Sequence, residues 1–370
     1  MPIVNLQNSA EFKDQKFFIG MDVHKKSWAI TIRSLGFQIA RFTMPPSVET
    51  LVLHMKKNYP EGKYYSAYEA GFCGTSIHEQ LCQSGVENII VNASDIPTTD
   101  KQRKNKTDLH DSRAIAEKLE KNEIHGIYVL TREQQELRSL FRLRQQKVID
   151  VTRANNRLKG YLAFMAVEIP ATLNTTEYLA KKALDWLSNL EMAIDAGTIS
   201  LKICVDELRY QRTQLSQITK LLRQHITLHH AKSYQCLVTV PGIGPITAMA
   251  LLAEIADFNR FKSPDEYCSY LGLMPWEESS GEVIKTKGMQ PRCNRFLRPL
   301  LMEASWAAIR SNRDLFAYYS KHAKKDSKKA IVKVSRKVAL TARGVVLKKQ
   351  PYDPEYLKKK ENLKQPIPVV

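Results

Sequence analysis

The 370-residue sequence holds little that would cross-link it or anchor it in a membrane. Its six cysteines, Cys73, Cys82, Cys204, Cys236, Cys268 and Cys293, are scattered without a C-x-x-C pair, which argues against both a zinc ribbon and a disulfide framework. No apolar run is of spanning length and no signal peptide precedes Phe17, so reduced thiols in a cytoplasmic protein are expected. Acids are scarce in one stretch: Val283 to Lys349 has 18 Lys or Arg against Glu303, Asp314 and Asp326 alone. Over the whole chain, 56 Lys plus Arg face 38 Asp plus Glu, a net charge of +18 that favours a polyanionic partner, nucleic acid before membrane.

The length allows two or three domains, each with its own core. Residues 1–16 are polar and are expected to be lightly packed. Phe17 to Ile32 reads as a β-hairpin, an apolar run ending on Asp22, a polar break, and a second apolar-alternating run. Gln38 to Met44 alternates like a third strand, Pro45-Pro46 breaks it, and Val48 to Lys57 has helical spacing. Tyr64 to Glu69 reads as a fourth strand ending on a second acid before Gly71. A helix from Thr75 to Ser84 and a strand from Asn88 to Asn92 complete a β-α-β unit.

A basic loop with Lys101, Arg103, Lys104 and Lys106 then runs into an expected helix start carrying Asp108 and Asp111, three apart and so on one helix face. Either acid alone is ordinary capping chemistry. Together Asp22, Glu69, Asp108 and Asp111 form a set of oxygen donors that suits two Mg²⁺ or Mn²⁺ ions about 3.5–4 Å apart, the arrangement that assists phosphodiester displacement. Lys25, Arg103, Lys104 and Lys106 would favour a phosphate-bearing substrate.

From Arg132 the sequence becomes charged and glycine-poor, and two long helices are expected. The apolar residues of one are Leu137, Phe141, Val148, Val151, Leu158 and Leu162. Those of the other are Leu201, Val205, Leu208, Leu215, Ile218 and Leu222. They would form an antiparallel pair or an intermolecular coiled coil, with a shorter helix from Ala180 to Ile194 between them. Next, Val240-Pro241-Gly242-Ile243-Gly244-Pro245 before an apolar helix is similar to a helix-hairpin-helix, whose glycine turn, Gly242 and Gly244, lets backbone N–H groups approach a phosphate. A plain tight turn explains the same glycines. Tyr270 to Glu282 reads as a loop with Ser279 and Ser280 ahead of Gly281, and is followed by Lys285, Lys287, Arg292, Arg295 and Arg298, candidate phosphate contacts on the approach to a helix from Phe296 to Ile309. Pro351 to Val370 reads as a tail.

Gly20-Met21-Asp22-Val23-His24-Lys25, Tyr68-Glu69-Ala70, Lys106-Thr107-Asp108-Leu109-His110-Asp111, Val240-Pro241-Gly242-Ile243-Gly244 and Leu271-Gly272-Leu273 through Ser279-Ser280-Gly281 follow one another in the order of a known family. The chain resembles the Piv-type insertion-sequence transposases, the bridge-RNA-guided recombinases, whose N-terminal DEDD domain is similar to the RuvC resolvase. One departure is Cys293-Asn294 where the family commonly has Gly-Asn, with Pro299 following in the expected helix.

The resemblance implies an α/β RNase H-like (RuvC-like) domain over residues 1–130, a long-helix or coiled-coil region over 131–230, a mainly α-helical C-terminal domain over 231–350, and a tail over 351–370. It maps a DEDD metal site for Mg²⁺ or Mn²⁺ onto Asp22, Glu69, Asp108 and Asp111. It also implies a serine nucleophile, Ser280 with Ser279 as the alternative, that holds one DNA end covalently. The implied partners are target and donor DNA, a structured noncoding guide RNA and further copies of the chain as a dimer or tetramer, in a prokaryotic cytoplasm near the nucleoid. Two rival readings are a junction-resolving nuclease that uses metal-activated water alone, and a nucleic-acid-binding protein whose acids are structural.

Overall fold

The computed structural model describes residues 12–96, 108–173, 179–280 and 283–355, with the side chains at 108–109 and 277–287 left aside. The chain divides into two compact units, Met1–Leu130 and Thr131–Val370.

The first unit is built on a mixed five-stranded sheet of order β3-β2-β1-β4-β5, with β1 Lys16–Val23, β2 Trp28–Ser34, β3 Phe37–Met44, β4 Lys63–Glu69 and β5 Glu87–Val91. β1, β2 and β3 form an antiparallel meander, while β1 pairs with β4 and β4 with β5 in parallel. The helices α1 (Val48–Asn58), α2 (Ser76–Gln83) and α3 (Asp108–Glu120) complete it. β2 is buried along its whole length, as expected of a strand covered on both faces.

Strand alternation sorts the two faces: Tyr64 and Tyr68 of β4 join one core with Phe17, Ile19, Met21, Leu51 and Met55. Ala67 joins the other with Val91, Ile96, Ile115 and Ile124. One expectation is corrected at the start of the chain. Phe12 is buried in edge-on contact with Phe17 and Tyr59, so residues 12–16 are anchored by an aromatic side chain; residues 1–11 lie outside the described residues.

In the second unit α4 (Arg132–Phe164) and α6 (Asp195–His229) are the two long helices, with the short α5 (Lys181–Ser188) packed on α6. A capping box starts α4: the Thr131 hydroxyl accepts from the Gln134 N–H while the Gln134 side chain accepts from the Thr131 N–H. α4 and α6 pair within the chain and run antiparallel. Tyr161 Oη donates to the Gly197 carbonyl at 2.8 Å near one end, Lys147 Nζ to Gln211 Oε1 at 3.2 Å farther along, and Arg144 Nε to Thr219 Oγ1 at 3.3 Å beyond that. Ala154, Leu158, Leu201, Val205 and Leu208 fill the seam.

At their other end Leu137, Phe141, Leu222 and Ile226 join the core of the C-terminal helices. These are α7 (Ala231–Val238), α8 (Pro245–Ile255), α9 (Pro264–Leu271), α10 (Leu297–Ser311), α11 (Arg313–Ala323) and α12 (Ser327–Lys348), with a hairpin of β6 (Pro275–Ser280) and β7 (Val283–Met289). The expected serine loop from Tyr270 therefore begins as the last residues of α9, and its serines are the end of a strand. Ser279 pairs with Ile284 and Ser280 with Val283.

Pro299 sits in the first turn of α10, where its missing N–H costs no helical bond. Asn294 supplies the start of that helix, its Oδ1 accepting from the N–H groups of Phe296 and Leu297 at 3.0 Å each. At the far end of the unit the Tyr352 N–H donates to Thr239 Oγ1 at 2.8 Å. Residues 356–370 of the expected tail lie outside the described residues.

Candidate active site

Asp22 is next to last in β1 and Glu69 is last in β4, its parallel neighbour. The paired register runs to Met21 opposite Tyr68, and the next step of both strands sets Asp22 beside Glu69 at their C-terminal ends, where open α/β sheets bind ligands. Both carboxylates are half-buried. α3 crosses β1 so closely that a Cβ on Gly20 would lie 2.0 Å from the Ser112 carbonyl oxygen, and glycine is the residue that permits this approach.

The direction of α3 follows from two contacts. Ser112 Oγ meets Thr31 Oγ1 at 2.9 Å at the level of Gly20, whereas Glu120 pairs with Arg33 at 2.7 Å at the level of Phe18. The helix thus runs antiparallel to β1, and its N-terminal turn, with Asp108 and Asp111, lies toward the Asp22 end of the strand. The side chain of Asp108 is outside the described residues.

Sequence reasoning passed over His24 as a partner. Its Nε2 lies 3.2 Å from Asp22 Oδ2, so the hairpin turn folds a ring onto the carboxylate at the strand end. Tyr68 fixes the loop after Glu69 by donating to the Gly74 carbonyl and accepting from the His78 N–H, each at 3.2 Å, and burial pushes its phenol well above the ordinary range. Beside the acids lies a cleft of about 510 Å³ lined by His24, Lys25, Trp28, Glu49 and Phe72 among others. Lys25 Nζ stands 5.7 Å from the Phe72 ring centroid, and Phe72 is exposed. Lys101, Arg103, Lys104 and Lys106 lie outside the described residues.

The donor chemistry of Asp22, Glu69 and Asp111, with Asp108 on the same helix, is carboxylate throughout and suits a hard divalent cation. Among the described residues no three side chains already converge as a metal cage.

In the second unit Gly242 has a positive φ of 82°, and a Cβ there would lie 2.0 Å from the Ala304 carbonyl oxygen, so this glycine lets the α7–α8 turn pack onto α10. Gly244 faces open space and caps α8. Lys285 pairs in register with Glu278, and Lys287 lies further along β7. Arg292 and Arg295 are exposed, and Arg295 stands 5.1 Å from the Phe296 ring. Arg298 is turned inward: its guanidinium donates to the Gln290 carbonyl and lies against Gly272, bracing the root of the serine hairpin.

The residue that sequence reasoning missed altogether is Glu254, fully buried at the end of α8. Arg142 grips it with two hydrogen bonds of 2.7 and 2.9 Å, and Asn294 Nδ2 donates to Oε2 at 2.8 Å. Arg138 and the Tyr270 hydroxyl donate to its carbonyl at 2.5 and 2.9 Å. The carboxylate in turn holds the Arg142 guanidinium above its ordinary range. α4, α8, α9 and the start of α10 are thereby tied at one point.

Two family models match the chain. The DEDD transposase domain of IS110 matches residues 19–166, and the transposase family IS116/IS110/IS902 matches residues 234–320. The chain is 26% identical over 309 residues to the transposase-named protein y4qE of Sinorhizobium fredii, covering 82% of this chain and 75% of that one. It is 26% identical over 204 residues to the transposase for insertion sequence element IS1328 of Yersinia enterocolitica, spanning 59% of that protein's length, and 26% identical over 154 residues to the pilin gene-inverting protein of Moraxella lacunata, spanning 48%. With both domain models matched in order over more than half of its length, the chain belongs to the IS110/IS116/IS902 family of DNA transposases.

Proposed function

We propose that this transposase cleaves and rejoins DNA strands with two sets of residues, the carboxylates Asp22, Glu69, Asp108 and Asp111 and the nucleophile Ser280. The observation that carries the reading is the placement of Asp22 and Glu69 on adjacent parallel strand ends, with the N-terminal turn of α3 directed to the same end. The four carboxylates would hold Mg²⁺ or Mn²⁺, which supplies charge neutralisation at the phosphate and activation of the attacking oxygen when bound.

His24 hydrogen-bonds Asp22 and orients it, and Lys25 beside Phe72 draws in the DNA backbone. The Ser280 hydroxyl, with Ser279 as the alternative, forms a bond to phosphorus as one deoxyribose oxygen leaves and takes up a proton, and the reverse displacement rejoins strands. The α7–α8 turn acts as a helix-hairpin-helix-like backbone contact, with Lys285, Lys287, Arg292 and Arg295 at phosphates. Sequence choice falls to a noncoding RNA that pairs with target and donor DNA, and the chain works as a homo-oligomer. On this reading the N-terminal unit is RuvC-like and the C-terminal unit comprises the long-helix region 131–230 and the serine domain 231–350.

The test mixes full-length protein with DNA of the element ends and its RNA in Mg²⁺, traps protein–DNA adducts with detergent and maps the attachment by mass spectrometry. A phosphoserine linkage at 280 is expected and is absent from Ser280→Ala. Cleavage without any adduct would replace this mechanism by metal-activated water.

A further inference from the structure

A cavity of about 620 Å³ lies where β6 leaves α9, on the strand that ends with Ser279 and Ser280. Its size is that of a small-molecule site, and its lining is of two kinds. Met274, Pro275 and Trp276 form an apolar wall, with Trp276 39% exposed. Glu266, Ser269 and Gln290 supply polar groups opposite that wall.

The polar groups are held so that one donor and one acceptor remain for a ligand. Gln290 closes the root of the hairpin, its N–H donating to the Met274 carbonyl at 3.1 Å. Its Oε1 accepts from Ser269 Oγ at 3.0 Å, so the Nε2 end offers the donors. Glu266 Oε2 accepts from the Lys262 N–H at 2.7 Å, which leaves Oε1 as an acceptor. Asp265, a second acid of the lining, is paired with Arg336 of α12, and the same guanidinium donates to Met274 Sδ at 2.8 Å, fixing the thioether in the wall.

A phosphate does not suit this cavity, because two carboxylates line it and the donor it offers is a neutral amide. A nucleobase does: every base presents a flat π face to an indole and donors beside acceptors on its pairing edge. The base has to be unpaired, since in a duplex that face is stacked and that edge is taken. Lys262, next in sequence to Ser263 of the lining, is exposed and brings a cation to the rim for the base's own phosphate. Trp276 lies four residues before Ser280 on β6, about 13 Å at about 3.3 Å per residue. At about 3.4 Å per nucleotide of a B-form strand, that is within about four nucleotides of a phosphate at the serine.

We propose that this cavity takes one unpaired nucleobase of the DNA strand being cut, stacked on Trp276 and hydrogen-bonded along its edge by Gln290 Nε2 and Glu266 Oε1, and so sets the register of the strand on the nucleophile. The role rests on the reading of Ser280 given above. Binding of the base does not, and it is measured without Mg²⁺ in Ser280→Ala, so failure of the base site and failure of the serine chemistry are told apart.

The probes are a short single-stranded oligothymidylate, the same strand built of abasic sites, and the matching oligouridylate, each titrated by fluorescence anisotropy into the full chain freed of nucleic acid. Trp276→Ala is expected to weaken oligothymidylate binding by about tenfold, and Trp276→Phe, which keeps a π face, to recover most of the loss. Neither changes affinity for the abasic strand. In the protein with Trp276 intact, an oligothymidylate carrying 5-iododeoxyuridine is expected to photo-cross-link to Trp276 or Met274, as mapped by mass spectrometry. An equal loss on the abasic strand, unchanged oligothymidylate affinity in Trp276→Ala, or cross-links confined to other segments would each overturn the proposal. Tighter binding of oligouridylate, lost in Trp276→Ala, would overturn the assignment to DNA.

Discussion

The two units use carboxylates in opposite ways. In the N-terminal unit Asp22 and Glu69 stand half-buried at strand ends, where the proposed function has a substrate reach them. In the C-terminal unit Glu254 has no exposed surface and is saturated by Arg142 and Asn294. The difference lies in what each acid can still do. A carboxylate at a strand end can exchange its partners for a cation, whereas a buried one bound by two guanidinium bonds and an amide can only hold its neighbours in place.

That contrast is broken most sharply by substitution. Asp22→Asn is expected to lower Mg²⁺-dependent strand cleavage by about a hundredfold or more, with the thermal unfolding midpoint unmoved. Glu254→Ala does the reverse in kind. Leaving Arg142 beside an empty buried position is expected to cost about 3–5 kcal/mol, read as a lower denaturant midpoint. Gly20→Ala lies between the two, because its new Cβ forces α3 off β1. The expected cost is about 1–3 kcal/mol, and it moves Asp111 relative to Asp22, so both stability and cleavage fall.

The smallest effect is one of pH. Burial, and then the neighbouring His225 and His229, depress the His230 ring below its usual 6.5. A depressed folded value means that the unfolded chain takes up the proton first. Stability from the neutral ring is therefore complete above pH 6.5 and is lost as pH falls from there through the folded value. Replacing His230 by Gln is expected to flatten this part of a stability–pH profile measured by denaturant unfolding.

The strands of the N-terminal unit were legible because they alternate or run apolar between breaks, and Asp22 and Glu69 stood out as the charges that end them. Their adjacency was not legible, since it depends on β1 pairing with β4 across the β2–β3 meander. Glu254 could not be found by periodicity. At the end of an apolar helix it reads as a solvent-facing terminus, and its partners are 112 and 40 residues away. On α6 the buried set Leu201, Val205, Leu208 and Leu222 matched the expected seam, but the same spacing rule fits Ile203 and Tyr210, and only the course of α4 decides which line is covered. Ser279 and Ser280 read as loop because Glu-Glu-Ser-Ser-Gly lacks β-branched residues; cross-strand pairing with Ile284 and Val283 makes the segment a strand.

The most direct test of the central claim is to measure cleavage of the element-end DNA and thermal stability side by side for Asp22→Asn, Glu69→Gln, Asp111→Asn and Glu254→Gln. The first three are expected to lose Mg²⁺-dependent cleavage and keep the midpoint of the unsubstituted chain, while Glu254→Gln loses stability first. Full cleavage by Asp22→Asn, or a fall in stability matching that of Glu254→Gln, would contradict it.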